Sequence, residues 1–277
     1  METAAPKTFP AIIQETLTVV RKYYVTPGML RIVLGGDGVS NFEGVQTGIN
    51  NKIYIPPVGA DTIYFPSFEH GAWVYPAGKA KPDIRTYTLR ALDLEKGEMH
   101  LEFVVHGDSG PASAWAIRAV PGDILGVAMK AKTAPLYPEA DWYLLVGDQT
   151  ALPVISVILE TLPAHAKGIA LIEVPGRAEE QEIRTQANDM IISWLHNPHP
   201  GTGTLLADMV QQVLLPDKTQ QSRFIYAAAE TASIKAIRHY LRKEQDVDSQ
   251  ELDAYAYWKY GVSEDRSSVE RHQESRD

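Results

Sequence analysis

The sequence predicts two folding parts in one chain: an antiparallel β-barrel over residues 1–138, then a mainly parallel α/β domain over 139–261. Three observations carry that prediction. Before residue 130, short segments alternate apolar and polar residues at the two-residue period of half-buried strands, with turn residues between them. After residue 142, apolar strand-like runs alternate with helical stretches, the pattern of crossovers in a parallel sheet. Between the two patterns stands Leu136-Tyr137-Pro138, a break. A length of 277 residues is enough for two domains of ordinary size.

The elements follow in order. LTVVRKYYV (17–25) and MLRIVL (29–34) flank TPG, a turn. KIYIP (52–56), RTYTLRAL (85–92) and MHLEFVV (99–105) alternate over much of their length, and DILGVAM (123–129) follows the turn PGD. Many short strands at this spacing predict a barrel. Pro56 to Pro82, rich in proline, glycine and aromatics, reads as a long loop or a weak hairpin. In the second part the strands are WYLLVGD (142–148), GIALIEV (168–174), MIISWL (190–195), RFIYAAAE (223–230) and DAYAYW (253–258). Helices are expected from Thr150 to Leu162 and over 205–214 and 234–245. The stretch 262–277 is a polar tail, frayed or forming a short surface helix. There is no internal repeat and no low-complexity tract.

Composition narrows the function. Apolar residues make up 44% and charged residues 22%, the balance of a soluble globular chain. A formal net charge of −9 argues against nucleic acid or an anionic membrane as partner, so an anionic ligand needs a local basic patch. The absence of cysteine excludes disulfides, thiolate zinc sites, thiol nucleophiles and cysteine-ligated iron–sulfur clusters. The first residues lack the pattern of a signal peptide, and no apolar run approaches about 18 residues. A cytoplasmic location, a monomer and no stable membrane association are the expectations. The histidines show no metal-ligand spacing, and no nucleophile elbow is visible.

Four stretches carry candidate chemistry, each with a bland alternative. RTYTLR (85–90) fits a barrel strand with a solvated face, or a strand whose arginine meets a pyrophosphate while Tyr87 lies against a planar ring. HGDSGPASAWAIRA (106–119) is either an ordinary strand–turn–helix connection capped by Ser113, or a helix start whose amides near Ala112 and Ser113 hold phosphate. VGDQTALP (146–153) is a plain βα turn with Asp148 as a cap, or a second phosphate-binding turn at Gly147 and Thr150; it lacks a full GxGxxG. AYAYWKYG (254–261) supplies core and rim aromatics, or ligand-contacting groups at the carboxyl end of a strand, with Lys259 as a cation.

The order RTYTLR, HGDSGPASAW, PGDILGV, LLVGDQTALP, AAAE, YAYWKYG resembles the siderophore-interacting protein family, from about residue 15 to residue 261. H-G-x-x-G-P-A-S and Y-W-x-x-G are fairly specific to it, whereas RxYT belongs to the wider ferredoxin–NADP reductase superfamily. The resemblance implies a ferredoxin reductase-like fold, with an FAD-binding barrel and an NAD(P)H-binding α/β domain. It implies electron transfer from NAD(P)H through FAD to Fe(III) in a siderophore, which needs no protein iron ligand and no general base. By position, Arg85 is expected at the FAD phosphates and Tyr87 and Thr88 at the flavin ring. Leu89 and Arg90 continue that strand, and His106, Gly107, Gly110, Ala112 and Ser113 hold the pyrophosphate and adenosine side. Gly147, Thr150 and Ala151 are expected at the NAD(P)H phosphates, and Glu230 and Trp258 toward the nicotinamide side of the flavin. Lys52, Lys259 and Arg266 are candidates for a basic patch that receives an anionic ferric chelate.

The segment 66–82 is longer than the family minimum and is expected to cover the substrate mouth. Glu173 favours NADH and Arg177 favours the NADPH phosphate, so the loop VPGRAEE leaves the donor open. Ferredoxin as donor, a general flavin reductase and a siderophore-binding protein without redox work also stay open.

Overall fold

The computed structural model describes residues 11–262 apart from His70, Gly71, Ser109 and Lys132. The predicted tail, and with it Arg266, lies outside the described residues.

The N-terminal strands are β1 (Ile12–Thr26), β2 (Met29–Gly35), β3 (Asn50–Ile55), β4 (Ser67–Glu69), β5 (Ala72–Val74), β6 (Asp83–Thr88), β7 (Ala91–Asp93), β8 (Glu98–Val104) and β9 (Ile124–Lys130), with helix α1 (Pro111–Arg118) between the last two. Seven of these strands form one half-barrel sheet in the order β6-β3-β9-β1-β2-β8-β7. The ladders β1–β9, β3–β9, β3–β6 and β7–β8 are antiparallel. RTYTLRAL does not run as one strand. Leu89 donates its N–H to the Ile49 carbonyl (2.9 Å) and Arg90 donates to the His100 carbonyl (3.0 Å), so the chain leaves β3 and joins β8 at this point. The segment 56–82 contains a small hairpin, β4 against β5, with Phe68 edge-on to Trp73 at 5.3 Å between ring centroids. Its flanks cover one face of β3: Ile63, Phe65 and Tyr75 pack on Tyr54 and Ala128.

The second sheet is built of β10 (Trp142–Asp148), β11 (Lys167–Val174), β12 (Asp189–His196), β13 (Arg223–Glu230) and β14 (Leu252–Trp258), in the order β12-β11-β10-β13-β14, with every pair parallel. Its helices are α2 (Leu152–Thr161), α3 (Leu205–Gln211) and α4 (Thr231–Lys243). Because successive strand residues point to opposite faces, Tyr143 and Leu145 pack with α2 while Leu144 and Val146 pack with α3 and α4. Burial on both faces explains why these strands read as continuous apolar runs.

Close packing groups the chain into two compact units, neither contiguous in sequence. Among the described residues, the first comprises the stretch up to Lys22 with 32–101 and 118–135; the second comprises 23–31, 102–117 and the stretch from Leu136 onward. The β1–β2 turn and the whole segment from His106 to Ile117 therefore belong with the parallel sheet. Among the described residues, no helix is long and apolar enough to cross a membrane.

Candidate functional site

In the first unit, β6 is an edge strand of the half-barrel, paired to β3 alone. Cross-strand register sets Arg85 opposite Ile53 and Tyr87 opposite Asn51, and paired residues share a face. Arg85 is buried and its Nη1 donates to the Ile84 carbonyl at 2.8 Å, while Tyr87 is half-exposed. Thr88 is buried. Lys52 stands on the opposite face, exposed, with Nζ donating to Thr86 Oγ1 at 2.5 Å. Leu89 is fully buried and both its backbone groups are spent on Ile49 and Gly48, so the structure gives it a packing role. Arg90 is half-buried beside it.

Sequence reasoning missed Asn51. Its side chain is 2% exposed, and neither amide atom has a partner within the protein. Native proteins seldom leave a buried amide so, because each unmade hydrogen bond costs about 1–3 kcal/mol. An unspent donor and acceptor beside a half-exposed tyrosine and a buried arginine is chemistry that fits a flat, polar-edged, anionic cofactor such as FAD.

In the second unit, the segment from His106 to Ser113 is a tied loop. Ser113, third residue of α1, sends its hydroxyl back to the Gly107 carbonyl (2.6 Å) and accepts the His106 N–H (3.2 Å). The His106 ring lies against Gly110, and Val105 donates its N–H to the Gly28 carbonyl at 2.8 Å. Ala112 and Ser113 are both buried.

The carboxyl ends of β10, β11 and β13 carry Asp148, Glu173 and Glu230, all buried. Asp148 accepts four hydrogen bonds: Thr150 N–H at 2.9 Å and Thr150 Oγ1–H at 2.5 Å on one oxygen, Glu230 N–H at 2.9 Å and Trp258 Nε1–H at 2.7 Å on the other. Burial pushes its pKa above the ordinary carboxylate range, opposed by these donors. It closes the β10–α2 turn through Thr150 rather than capping the helix as the sequence suggested, since α2 has Ala151 at its N-cap and no side-chain cap bond, and it also fixes the indole. Glu230 caps α4 through Ala232 N–H and Ser233 N–H, and its second oxygen accepts Tyr260 N–H at 3.1 Å. Thr231 Oγ1 donates to the Trp258 carbonyl at 2.7 Å, so the Trp258–Tyr260 segment, with half-buried Lys259 at its centre, is pinned from three sides.

Trp258 is also held from its far edge. Gly201, at φ +79°, lies so close that a Cβ there would sit 2.4 Å from the ring. At Gly147 a Cβ would fall 2.6 Å from Ile155 and 2.7 Å from the Ala151 side chain. Gly147 and Ala151 thus let α2 close on β10, and only Thr150 of the three predicted phosphate residues is partly exposed. Glu173 accepts Asn197 Nδ2–H at 3.1 Å, and burial raises its pKa.

An antiparallel half-barrel with an arginine and an aromatic on its edge strand, followed by a five-stranded parallel sheet with helices, is the ferredoxin reductase-like fold class. Residues 18–131 match the siderophore-interacting FAD-binding domain and residues 140–261 the siderophore-interacting protein family. The chain belongs to the siderophore-interacting protein family. It is 33% identical over 256 residues to the ferric vibriobactin reductase ViuB of Vibrio cholerae, spanning 92% of this chain and 93% of that one. It is 31% identical over 245 residues to the NADPH-dependent ferric-chelate reductase of Escherichia coli, spanning 87% of this chain and 91% of the relative. The crystal structure of the siderophore-interacting protein SipS from Aeromonas hydrophila superposes with a TM-score of 0.80 at 28% identity, covering 95% of this chain and 98% of that one.

Proposed function

We propose that this chain is an FAD-dependent ferric-siderophore reductase, drawing electrons from NADPH or NADH and releasing iron as Fe(II). Residues 1–138 form its FAD-binding part and 139–261 its nicotinamide-binding part, and the protein acts as a cytoplasmic monomer. The observation that carries the reading is the β6 edge, where Arg85, Tyr87 and the unsatisfied Asn51 stand together in register.

Arg85 neutralises phosphate there, and Tyr87 offers its ring as a platform. The Ser113-tied loop keeps the amides at the start of α1 in place for the pyrophosphate side. Bound FAD supplies the change from paired to single electrons that a nicotinamide donor and an Fe(III) acceptor require. Iron is substrate here, and Fe(II) is a weaker partner for hard oxygen chelators. Among the described residues there is no cluster of three or more His, Cys, Asp or Glu able to hold a metal. Lys52 and Lys259 supply positive charge for an anionic chelate in an acidic protein.

The test is purification followed by anaerobic turnover. The protein is expected to be yellow, to release FAD on denaturation, and to reduce ferric chelates with a nicotinamide donor. A colourless protein that only tightens around a ferric siderophore would replace this reading with a binding protein. Turnover with reduced ferredoxin alone would move the donor to a protein partner.

A further inference from the structure

The loop after β11 reads VPGRAEE, one arginine among two glutamates, and its charges alone do not say which nicotinamide donor it favours. Folding separates them. Glu179 is buried, and its Oε2 accepts Thr26 Oγ1–H at 2.6 Å, Gly28 N–H at 3.0 Å and Gln149 Nε2–H at 2.9 Å. Glu180 bonds His196 Nε2 on β12 at 2.8 Å. Glu173, the acid at the end of the strand, is spent on Asn197. Each of the three carboxylates thus already has a hydrogen-bond partner within the protein, Glu179 most of all.

Arg177 remains. It opens a single 3-10 turn, Arg177–Glu179, with Glu179 N–H donating to the Gly176 carbonyl (2.9 Å) and Glu180 N–H to the Arg177 carbonyl (3.2 Å). The side chain is exposed and has no ion-pair or hydrogen-bond partner among the described residues. Beside it, a Cβ built on Gly176 would meet no atom within 4 Å. The turn is nailed down on one side by Glu179, which ties it to Gln149 in the β10–α2 turn, and on the other by Glu180. An unpaired guanidinium on an anchored turn, at the carboxyl end of the second parallel strand, sits where a dinucleotide-binding sheet discriminates ribose 2′-hydroxyl from 2′-phosphate.

We propose that Arg177 is the specificity-determining residue for the electron donor, pairing with the 2′-phosphate of NADPH, and that Glu179 is the positioning residue beneath it. The inference rests on the reading of the chain as a nicotinamide-dependent reductase, and deepens it by choosing the donor.

The experiment compares wild type with Arg177→Ala and Arg184→Ala as FAD-loaded enzymes. Arg184 is an exposed arginine of the same loop, also without a partner among the described residues, so it reports a general loss of positive charge. For each, kcat/KM is measured for NADPH and NADH with one ferric chelate, and equilibrium binding is measured for 2′,5′-ADP and 5′-ADP. Wild type is expected to prefer NADPH. Arg177→Ala should cut that preference about tenfold through KM, with a matching loss of 2′,5′-ADP affinity, the size of one lost charge-assisted contact. Arg184→Ala should keep the preference.

Equal use of both donors by wild type, an unchanged ratio in Arg177→Ala, or an equal loss in Arg184→Ala would overturn the inference while leaving the reductase reading intact. Should neither donor be oxidised while 2′,5′-ADP binding still depends on Arg177, the reductase reading fails and the 2′-phosphate site stands.

Discussion

The β6 edge of the first unit and the carboxyl ends of the parallel sheet in the second handle polar groups in opposite ways. Opposite Tyr87 of β6, Asn51 on β3 is buried with both amide atoms unsatisfied. At the parallel sheet, Asp148 has four donors, Glu230 and Glu179 three each, and Glu173 is bonded to the loop above it. The first region holds unmade bonds, and the second has spent nearly all of its own. A region of the first kind is completed by what it binds. A region of the second kind is a rigid frame, and selects through the few groups left outside the network, Arg177 above all.

The largest effect expected from breaking that contrast is at Asp148. Replacing it with Ala strands three buried or half-buried donors, Thr150 N–H, Glu230 N–H and the Trp258 indole N–H. The cost is expected to be about 3 kcal/mol in urea unfolding, since each orphaned donor forfeits its desolvation. Asp148→Ala unfolding at the wild-type midpoint would mean that water replaces the carboxylate without penalty, and the frame would not be one.

Much of the fold was legible in the sequence because it depends on local period. The alternation of KIYIP and MHLEFVV gives half-barrel strands, and the unbroken apolar runs of WYLLVGD and RFIYAAAE give strands covered on both faces. RTYTLRAL misled as one strand, because its break at Leu89–Arg90 comes from partners on β3 and β8 that alternation does not encode. The site divides in the same way. Arg85 and Tyr87 could be picked out by residue type. Asp148 reads from sequence as a cap of the following helix, but it bonds Thr150 within the turn, and its partners Glu230 and Trp258 lie 82 and 110 positions along the chain. The sign of VPGRAEE was unreadable for the same reason, since which charges face inward is settled by Thr26, Gly28, Gln149 and His196.

Asn51 offers a sharper test of the other half of the comparison. Asn51→Leu keeps the side chain's approximate shape and removes two unsatisfied atoms. The apoprotein is expected to gain about 1 kcal/mol in urea unfolding, because a buried amide without partners is costly. FAD affinity, followed by flavin fluorescence on titration, is expected to fall about tenfold, the size of one good hydrogen bond to a bound ligand. A variant that gains stability and binds FAD as tightly as wild type would show that water alone satisfies the amide.

The smallest expected effect concerns the first unit's surface, where polar groups are paired rather than waiting. Arg21 grips both oxygens of Glu98, one of them at 2.8 Å. That bond pulls the Glu98 pKa from 4.5 down to about 2, with desolvation opposing and His100 adding to the lowering. A folded pKa below the unfolded one contributes stability that is fully present above pH 4.5 and lost as pH falls through about 2. Arg21 is largely exposed, so solvent screening keeps the contribution small. Urea midpoints measured from pH 5 downward should therefore fall more gently for Arg21→Ala than for wild type, with the two curves converging at the acid end. Parallel curves would show that the ion pair is no tighter in the folded chain than in the unfolded one.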